Sequence, residues 1–600
     1  MKKIIALVLT ACMIFALVAC ANGQVDQAAV EAAVSQVAEA IQQTDAAAPE
    51  AEEEIPNAED LVSDAFIDPL TEWGQYDALI AAIKAETDTA KRTEMMHQAE
   101  DILMATWCVI PYYYYNDVYL QKPYVSGIYS NPFATKFFMY TKMDNGADTL
   151  RINLSSEPDY LDPALNSSVD GACLAANSFS GLYTYDASGA PVPACAESYV
   201  VSEDGLTYTV TLKAGLKWSD GSDLTAKDFE YSWKRAADLA TAADYQYMFS
   251  GFEGYSDEES SPINCTALDD TTFQFVLTAP CAYMEDLMAF PTFYPIKQSE
   301  VEKFDDWTTA PGHWAQEAGF ISNGAFVLTA WNHNESMTYE KNPYWYNADQ
   351  VSINKIEYML SADDTAIYAA YNSDSIDFAD SVPTDEIASL LDNPEFHIVD
   401  ELGTYYCAFN CKSSLFAGMT PAQAACARTA FVILIDRDYI CENIGQTGQK
   451  PATSFIPIGM ADGNGGIFKS AVEDNAYYDG YAINNDPEAT VEEARTLLKA
   501  AGFKFGDDGL LSSETPIDLV YLTNPTSGHI AVAESLQQDL ASVGIKLSIE
   551  QQDWNVFLEE RKQGNFDFAR EGWIADFNDP INMLEMWTTN SGNNDCQFGR

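Results

Sequence analysis

The run "AESYVVSEDGLTYTVTLKAGLKWSDGSDLTAKDFEYSWKRA", residues 196–236, holds a strand, a turn, a second strand and a helix start in unbroken succession. Asp204-Gly205 lies between two β-rich runs, the chemistry of a tight hairpin turn. Beyond it Leu206, Tyr208, Val210 and Leu212 alternate with Thr207, Thr209, Thr211 and Lys213, so one face of this strand packs and the other is wetted. Thr225 and Asp228 stand at capping-box spacing and open a helix.

Outward from this unit the same alternation continues. "TTFQFVL" (271–277), "KIEYML" (355–360), "IDLVYL" (517–522) and "IKLSIE" (545–550) read as strands. "PAQAACARTAFVILI" (421–435), "VEEARTLLKAAG" (491–502) and "AVAESLQQDLASVG" (531–544) read as helices, and the mixture predicts α/β lobes. Toward the front, residues 76–105 show apolar residues at helical spacing, broken at Thr87-Asp88, and "CVIPYYYYNDVYLQKPYV" (108–125) is aromatic and β-rich. The order there is helix, helix, strand. "TLRINLSSEPDYLDP" (149–163) gives a further strand and a proline-punctuated loop. No short-period repeat is present.

Six hundred residues at 47% hydrophobic can bury a large core in more than one lobe. With 31 basic and 91 acidic side chains the formal charge is −60, which repels phosphate backbones, so no nucleic-acid partner is expected. "MKKIIALVLTACMIFALVAC" (1–20) has two lysines, an apolar run too short to span a membrane comfortably, and small residues before a cysteine, the pattern of an export signal. Residues 21–70, rich in Ala, Glu, Asp and Gln, read as an acidic tether, with a helix possible at 25–43. Beyond Cys12 and Cys20 ten cysteines remain, with no CxxC pair. If "YYCAFNC" is a strand, Cys407 and Cys411 stand about 13 Å apart, beyond the ~7 Å a disulfide allows.

No HExxH, GxSxG, Walker loop or strand-to-helix GxGxxG occurs, and "GQTGQK" (445–450) has the wrong spacing for a phosphate cradle. The five histidines are scattered. No catalytic residue, metal site or cofactor is therefore predicted, and binding is favoured over catalysis, with a secreted peptidase as the enzymatic alternative. The most conspicuous chemistry is "FDFAREGWIADFNDPINMLEMW" (566–587), where Gly572 admits close backbone approach, Trp573 offers a flat apolar wall and Asp576 presents a charge. Asp576 reads equally as a loop or helix-capping aspartate beside Asn578-Asp579-Pro580.

The 196–236 run resembles the signature of family 5 extracellular solute-binding proteins, the oligopeptide- and dipeptide-binding components of ABC importers. "LSSEPDYLDP" (154–163), "ISNGAFVLTAWNHNESMTYEKNPYWYN" (321–347), "YYCAFN" (405–410), "ARTAFVILIDRDYI" (427–440), "PATSFIPIGM" (451–460) and "GWIADFNDP" (572–580) resemble that family's blocks in their usual order. The resemblance implies a hinged, two-lobe, three-domain periplasmic-binding-protein-like α/β fold (type II, cluster C). It also implies a monomer that captures an oligopeptide and hands it to permease subunits, with nickel complexes, haem or glycans as alternative solutes. Leu17 to Cys20 resembles a lipobox, so Cys20 would be lipidated and hold the protein at the outer face of the cell membrane. Asp576 would pair with the ligand's α-ammonium group. Gly572, Trp573, Ile574 and Ala575, with the loop at Ser156, Glu157, Pro158 and Asp159, would hold the peptide main chain as an added strand. Tyr245 or Tyr247 would face the ligand, and the block at 405–410 would contribute Tyr405 and Asn410.

One departure concerns the front. In the family, the block resembling 76–143 follows a segment like "SGNNDCQFGR"; here it precedes the family's first strand, and that segment is residues 591–600. The expectation is a circular permutant, joined through "MDNGAD" at 143–148, because the two ends of such a fold lie close together. The domain reading that follows places the signal at 1–20, the tether at 21–70 and helices of lobe II at 71–111. Lobe I then takes 112–172 and 291–402, with its subdomain at 173–290, and lobe II takes 403–600. The tyrosines 112–115 would pack in the hinge-side core and not touch ligand.

Overall fold

The computed structural model describes residues 55–260, 262–469 and 486–600. The export signal, Cys20 and the helix read at 25–43 lie outside the described residues. Two helices, α1 (Gly74–Ala85) and α2 (Thr89–Ala105), lead into a long strand β1 (Val109–Gln121). Asp88 caps α2 by accepting from the Lys91 N–H, which explains the break between the helices. β2 (Thr149–Leu154) and α3 (Val169–Ser178) follow.

Strands β3 (Ala196–Val201) and β4 (Thr207–Leu212) form the hairpin read from the sequence. Its turn needs Gly205 at φ +77°, a conformation that costs glycine little. With β5 (Cys265–Ala267) and β6 (Thr272–Val276) they build a four-stranded sheet in the order β5-β6-β4-β3. Helix α4 (Ala226–Ala236) packs on it, Trp233 lying edge-on to Phe273, and Asp228 accepts from the Thr225 N–H at 2.7 Å as the capping spacing requires.

The remaining strands are β7 (Phe326–Asn332), β8 (Ser336–Lys341), β9 (Lys355–Leu360), β10 (Phe378–Ala379), β11 (Phe396–Phe409), β12 (Asp518–Thr523), β13 (Lys546–Gln551) and β14 (Phe568–Ile574). They join β1 and β2 in one sheet ordered β7-β8-β9-β2-β10-β1-β11-β14-β12-β13. Helices α5 (Pro421–Leu434), α6 (Pro487–Ala500), α7 (Ser527–Ala541), α8 (Trp554–Lys562) and the short α9 (Ile581–Glu585) complete the elements that matter here.

Strands β1 and β11 are paired antiparallel along most of their length and belong to both halves of the sheet. Leu120 and Gln121 of β1 pair with β10, whereas Gly403 to Phe409 of β11 pair with β14. The β1–β11 register shifts between Tyr114 and Asn116, where the two halves meet. The boundary read at 403 coincides with the start of the β14 pairing. The boundary read at 112 comes too early, since Tyr113 and Tyr114 still pair with Tyr405 and Thr404 beside β14.

The tether boundary at 70 also needs correction. Ala58 is buried, Val62 and Ile67 pack on the core, and the Cys426 thiol of α5 lies against the Ala58 carbonyl. Folded structure thus begins by residue 57, because enough apolar side chains interrupt the acidic run to dock on α5. The cysteines of the described residues are all free thiols, and Cys407 meets the Tyr521 hydroxyl instead of Cys411.

The front segment is bonded into the rest at several points. The Trp73 indole donates to the Trp587 carbonyl at 2.8 Å and stacks on Phe598 at 4.2 Å between ring centres. The Tyr76 hydroxyl donates to the Leu584 carbonyl, and the Gly599 N–H donates to the Pro69 carbonyl at 2.8 Å. Arg92 of α2 forms a two-pronged buried ion pair with Asp579, at 2.8 and 2.9 Å. Removing one member of a buried pair leaves the other charge without compensation. Arg92→Ala is expected to destabilise the protein by about 3–5 kcal/mol in urea unfolding. Replacing both residues by leucine should cost less than Arg92→Ala alone.

Candidate functional site

The two halves of the sheet enclose a cavity of about 900 Å³. Its wall includes β14 from Arg570 onward, the loop after β2, the start of α3, part of β1 and the N-terminal end of α7. The geometry of β14 is the most informative part. On one side Gly572, Trp573 and Ile574 pair with β11. On the other, β12 pairs only with Phe568 and Ala569, so from Arg570 onward this edge has no neighbouring strand and lines the cavity. An extended chain laid there would find backbone donors and acceptors.

Asp576 stands where this edge ends. Its carboxylate accepts from the Tyr245 hydroxyl at 3.0 Å and from the Asn582 side-chain amide at 2.8 Å, while the Asn582 carbonyl oxygen accepts from the Asp576 N–H. The helix-capping duty belongs to Asp579, which accepts from the Ile581 N–H of α9. Burial pushes the Asp576 carboxyl up to about 7, although the hydrogen bonds from Asn582 and Tyr245 pull the other way. A folded-state value above the unfolded one near 4 means that Asp576 adds stability in acid, and that this is lost as the pH rises through about 7.

Tyr245 thus lies at the site, its ring 6.1 Å from that of Trp573. Tyr247 accepts from the Asn593 amide and does not line the cavity, although its ring lies 6.0 Å from that of Tyr245. Tyr245 stands just before the 3-10 turn Gln246–Gly251 and Tyr247 within it, a difference the sequence does not show. Trp573, Ile574 and Ala575 line the cavity as expected. So does Gly572, and a Cβ there would stand 2.2 Å from the Tyr115 hydroxyl, so the glycine makes room for that side chain.

Other residues fall differently from the sequence reading. Glu157 lines the cavity, but its carboxylate is held by His333 at 2.6 Å and by the Asn334 N–H at 2.7 Å. Ser156 of the same loop lines the cavity beside Ser155, whereas Pro158 and Asp159 lie off its wall. Asn410 is a turn residue, its amide donating to the Gly564 carbonyl and its oxygen accepting from the Lys412 N–H. Tyr405 is fully buried behind the wall, stacked on Tyr113 at 4.8 Å with its hydroxyl 3.1 Å from His529 Nδ1. The tyrosine run splits by strand alternation: Tyr113 and Tyr115 line the cavity, while Tyr112 and Tyr114 point into the core.

Several charged wall residues were not singled out from the sequence. Arg570 lies over the Tyr405 ring and donates to the Tyr115 hydroxyl at 3.3 Å. His529 opens α7, and burial, reinforced by Arg570, holds its imidazole well below the ordinary range and hence neutral. Lys136, Asp117, Asp380 and Glu401 form a further group on the wall. Of these only Arg570 carried a usable signal, by alternating with Gly572 along the β-like run that leads to Asp576. Among the described residues no group of His, Cys, Asp and Glu is arranged to hold a metal ion.

Residues 190–595 match the family described as bacterial extracellular solute-binding proteins, family 5 middle. The chain is 32% identical to the oligopeptide-binding protein OppA of Bacillus subtilis (strain 168), over 76% of this chain and 80% of the relative. It is 31% identical to the dipeptide-binding protein DppE of the same organism, over 75% and 78%. Among solved structures, Listeria monocytogenes OppA bound to peptide superposes with a TM-score of 0.65 at 26% identity, covering 76% of this chain and 86% of that one. The mixed α/β architecture is that of these proteins, and the chain belongs to family 5 of the bacterial extracellular solute-binding proteins, a family of binding proteins and not of enzymes.

Proposed function

We propose that this protein captures oligopeptides or dipeptides, holding the ligand's α-ammonium group on Asp576 and its main chain along the open edge of β14. The observation that carries this reading is the joint geometry of the two features: a strand edge with no neighbour ends on an enclosed carboxylate bearing only two side-chain hydrogen bonds. Peptide binding by OppA and DppE supports it. The proposal includes lipid anchoring through Cys20 at the outer face of the membrane, and delivery of the peptide to the permease subunits of an ABC transporter.

Calorimetry with free and N-acetylated forms of one peptide tests the amine contact. Acetylation removes the cation and should cost about 3–5 kcal/mol, more than a hundredfold in Kd. Because Asp576 titrates at about 7 in the empty protein, an ammonium ligand must displace a proton below that pH. Affinity should therefore fall as the pH drops through 7, and fall again above about 8 as the peptide amine deprotonates. Asp576→Asn should remove the acidic limb. Equal affinity for free and acetylated peptide would end the claim.

We also propose that residues 69–143 fill the place of the family's C-terminal segment, in a permuted order. The contacts of Pro69 with Gly599 and of Trp73 with Phe598 support this, since both join the front segment to residues 598–599. A chain reordered as 149–600 followed by 69–143 should fold with the same circular dichroism spectrum and bind the same peptides with unchanged affinity. A reordered chain that stays unfolded would count against the proposal.

A further inference from the structure

One group on the cavity wall gathers several carboxyl groups about a single lysine. Lys136, in a two-residue strand that pairs with Tyr129 and Ser130, places its ammonium 2.8 Å from Asp117 of β1 and 2.8 Å from Asp380, just beyond β10. Glu401 of β11 belongs to the same group: the charges of Asp117, Lys136 and Asp380 all act on its titration. Asp170 of α3 lies near, with Ser155 and Ser156 as hydrogen-bond partners. Among the described residues Lys136 is the cation that these four carboxyl groups share, and it is already engaged by Asp117 and Asp380. All these side chains line the cavity.

Glu401 is the residue that a purely structural account leaves unexplained. It is 8% exposed, and its Oε1 has no hydrogen-bond partner. Burial holds its carboxyl well above the ordinary range, Asp117 and Asp380 add to the shift, and Lys136 only partly opposes it. Burial likewise pushes Asp380 up to about 7. An ion pair that served only to join strands would need one carboxylate beside Lys136. A second and a third, one with a bare oxygen at the wall of a ligand cavity, leave room for another cation. A metal ion is disfavoured because the Lys136 ammonium already occupies the centre of the group. A mobile ammonium or guanidinium on a long side chain can instead approach Glu401 from the cavity.

The position along β11 suits a ligand side chain. Glu401 immediately precedes Leu402, whose carbonyl accepts from the Ala575 N–H at 2.7 Å, and Ala575 precedes Asp576. The open edge of β14 and this group line the same cavity, so a long side chain of a peptide held on that edge is the part of the ligand that would reach Glu401. We propose that Glu401, with Asp380 and Asp117, forms a pocket for a cationic side chain of the bound peptide, and that Lys136 holds the two aspartates in position. This rests on the peptide-binding reading and narrows it to peptides carrying lysine, arginine or a similar base at one position.

The test is calorimetry on the whole protein with alanine tetrapeptides in which lysine, or its uncharged counterpart norleucine, is placed at each position in turn. At one position lysine should bind about tenfold more tightly than norleucine or better, arginine should behave like lysine, and glutamate should bind more weakly than norleucine. The lysine-to-norleucine ratio at that position should collapse to below about twofold in Glu401→Gln. Because the ratio is taken within one protein, a variant that fails to fold loses both peptides. Asp380→Asn, which should also shrink the ratio, then decides. Equal binding of lysine and norleucine peptides at every position, or a ratio untouched in both variants, overturns the pocket and leaves peptide binding standing. If none of the tetrapeptides binds, the peptide-binding reading fails and the pocket with it.

Discussion

The antiparallel pairing of β1 with β11 is the constraint on which the rest of the structure depends. Each strand gives one end to the β10 side of the sheet and the other to the β14 side, so two strands carry the covalent connection and much of the hydrogen bonding between the halves. The bulge between Tyr114 and Asn116 interrupts the ladder at the crossing, which is where a sheet bends most readily. The open edge takes its place from this pair: β11 fixes the register of β14, and Asp576 follows two residues after that strand ends. Residues 109–121 lie in the middle of the sheet, and without them β11 would keep only β14 as a partner.

That central position explains which parts of the molecule could be read in advance. The hairpin at 196–212 and the start of α4 were legible because turn chemistry, alternation and capping are local properties. The face of each tyrosine in 112–115 depended on register, which a run of identical residues cannot reveal, and so the split between wall and core emerged only with the β11 pairing. Asn410 and Pro158 lie in blocks that resemble the family's, yet here they serve a turn and a loop. The charged group at Lys136 was illegible for another reason. Its members come from residues 117, 136, 380 and 401, distant in sequence, and only the folded sheet assembles them.

The cavity places unlike electrostatic environments side by side. Around Arg570 the wall is cationic and aromatic, with a neutral imidazole at His529. Around Asp576 and Glu401 it is lined by enclosed carboxyl groups, and burial raises both above the ordinary carboxyl range, Asp576 to about 7. Enclosure strengthens charge pairs in proportion to the water removed, so these groups gain force only when the two halves approach. The halves do touch around the cavity rim. Lys562 of α8 pairs with Asp244, Ser527 of α7 donates to Asp364 at 2.6 Å, and Tyr245 reaches Asp576.

These rim contacts bear on how a ligand could shift the balance between open and closed forms. Tyr245 and Asn582 satisfy Asp576 in the empty protein, but neither supplies a positive charge, so the carboxyl tends to hold a proton. An ammonium ligand would interact with Asp576 more strongly when Tyr245 encloses it than when the halves are apart, and that difference is what can move a conformational equilibrium. A ligand bound only through backbone hydrogen bonds to β14 would gain less from closure, because one half of the protein supplies that edge. On the proposed reading, the charged groups couple ligand capture to closure while the strand edge accepts the peptide main chain whatever its sequence. Affinity for the main chain and selectivity for charge would then reside in different elements of the same sheet, β14 for the first and the β1–β11 crossing for the second.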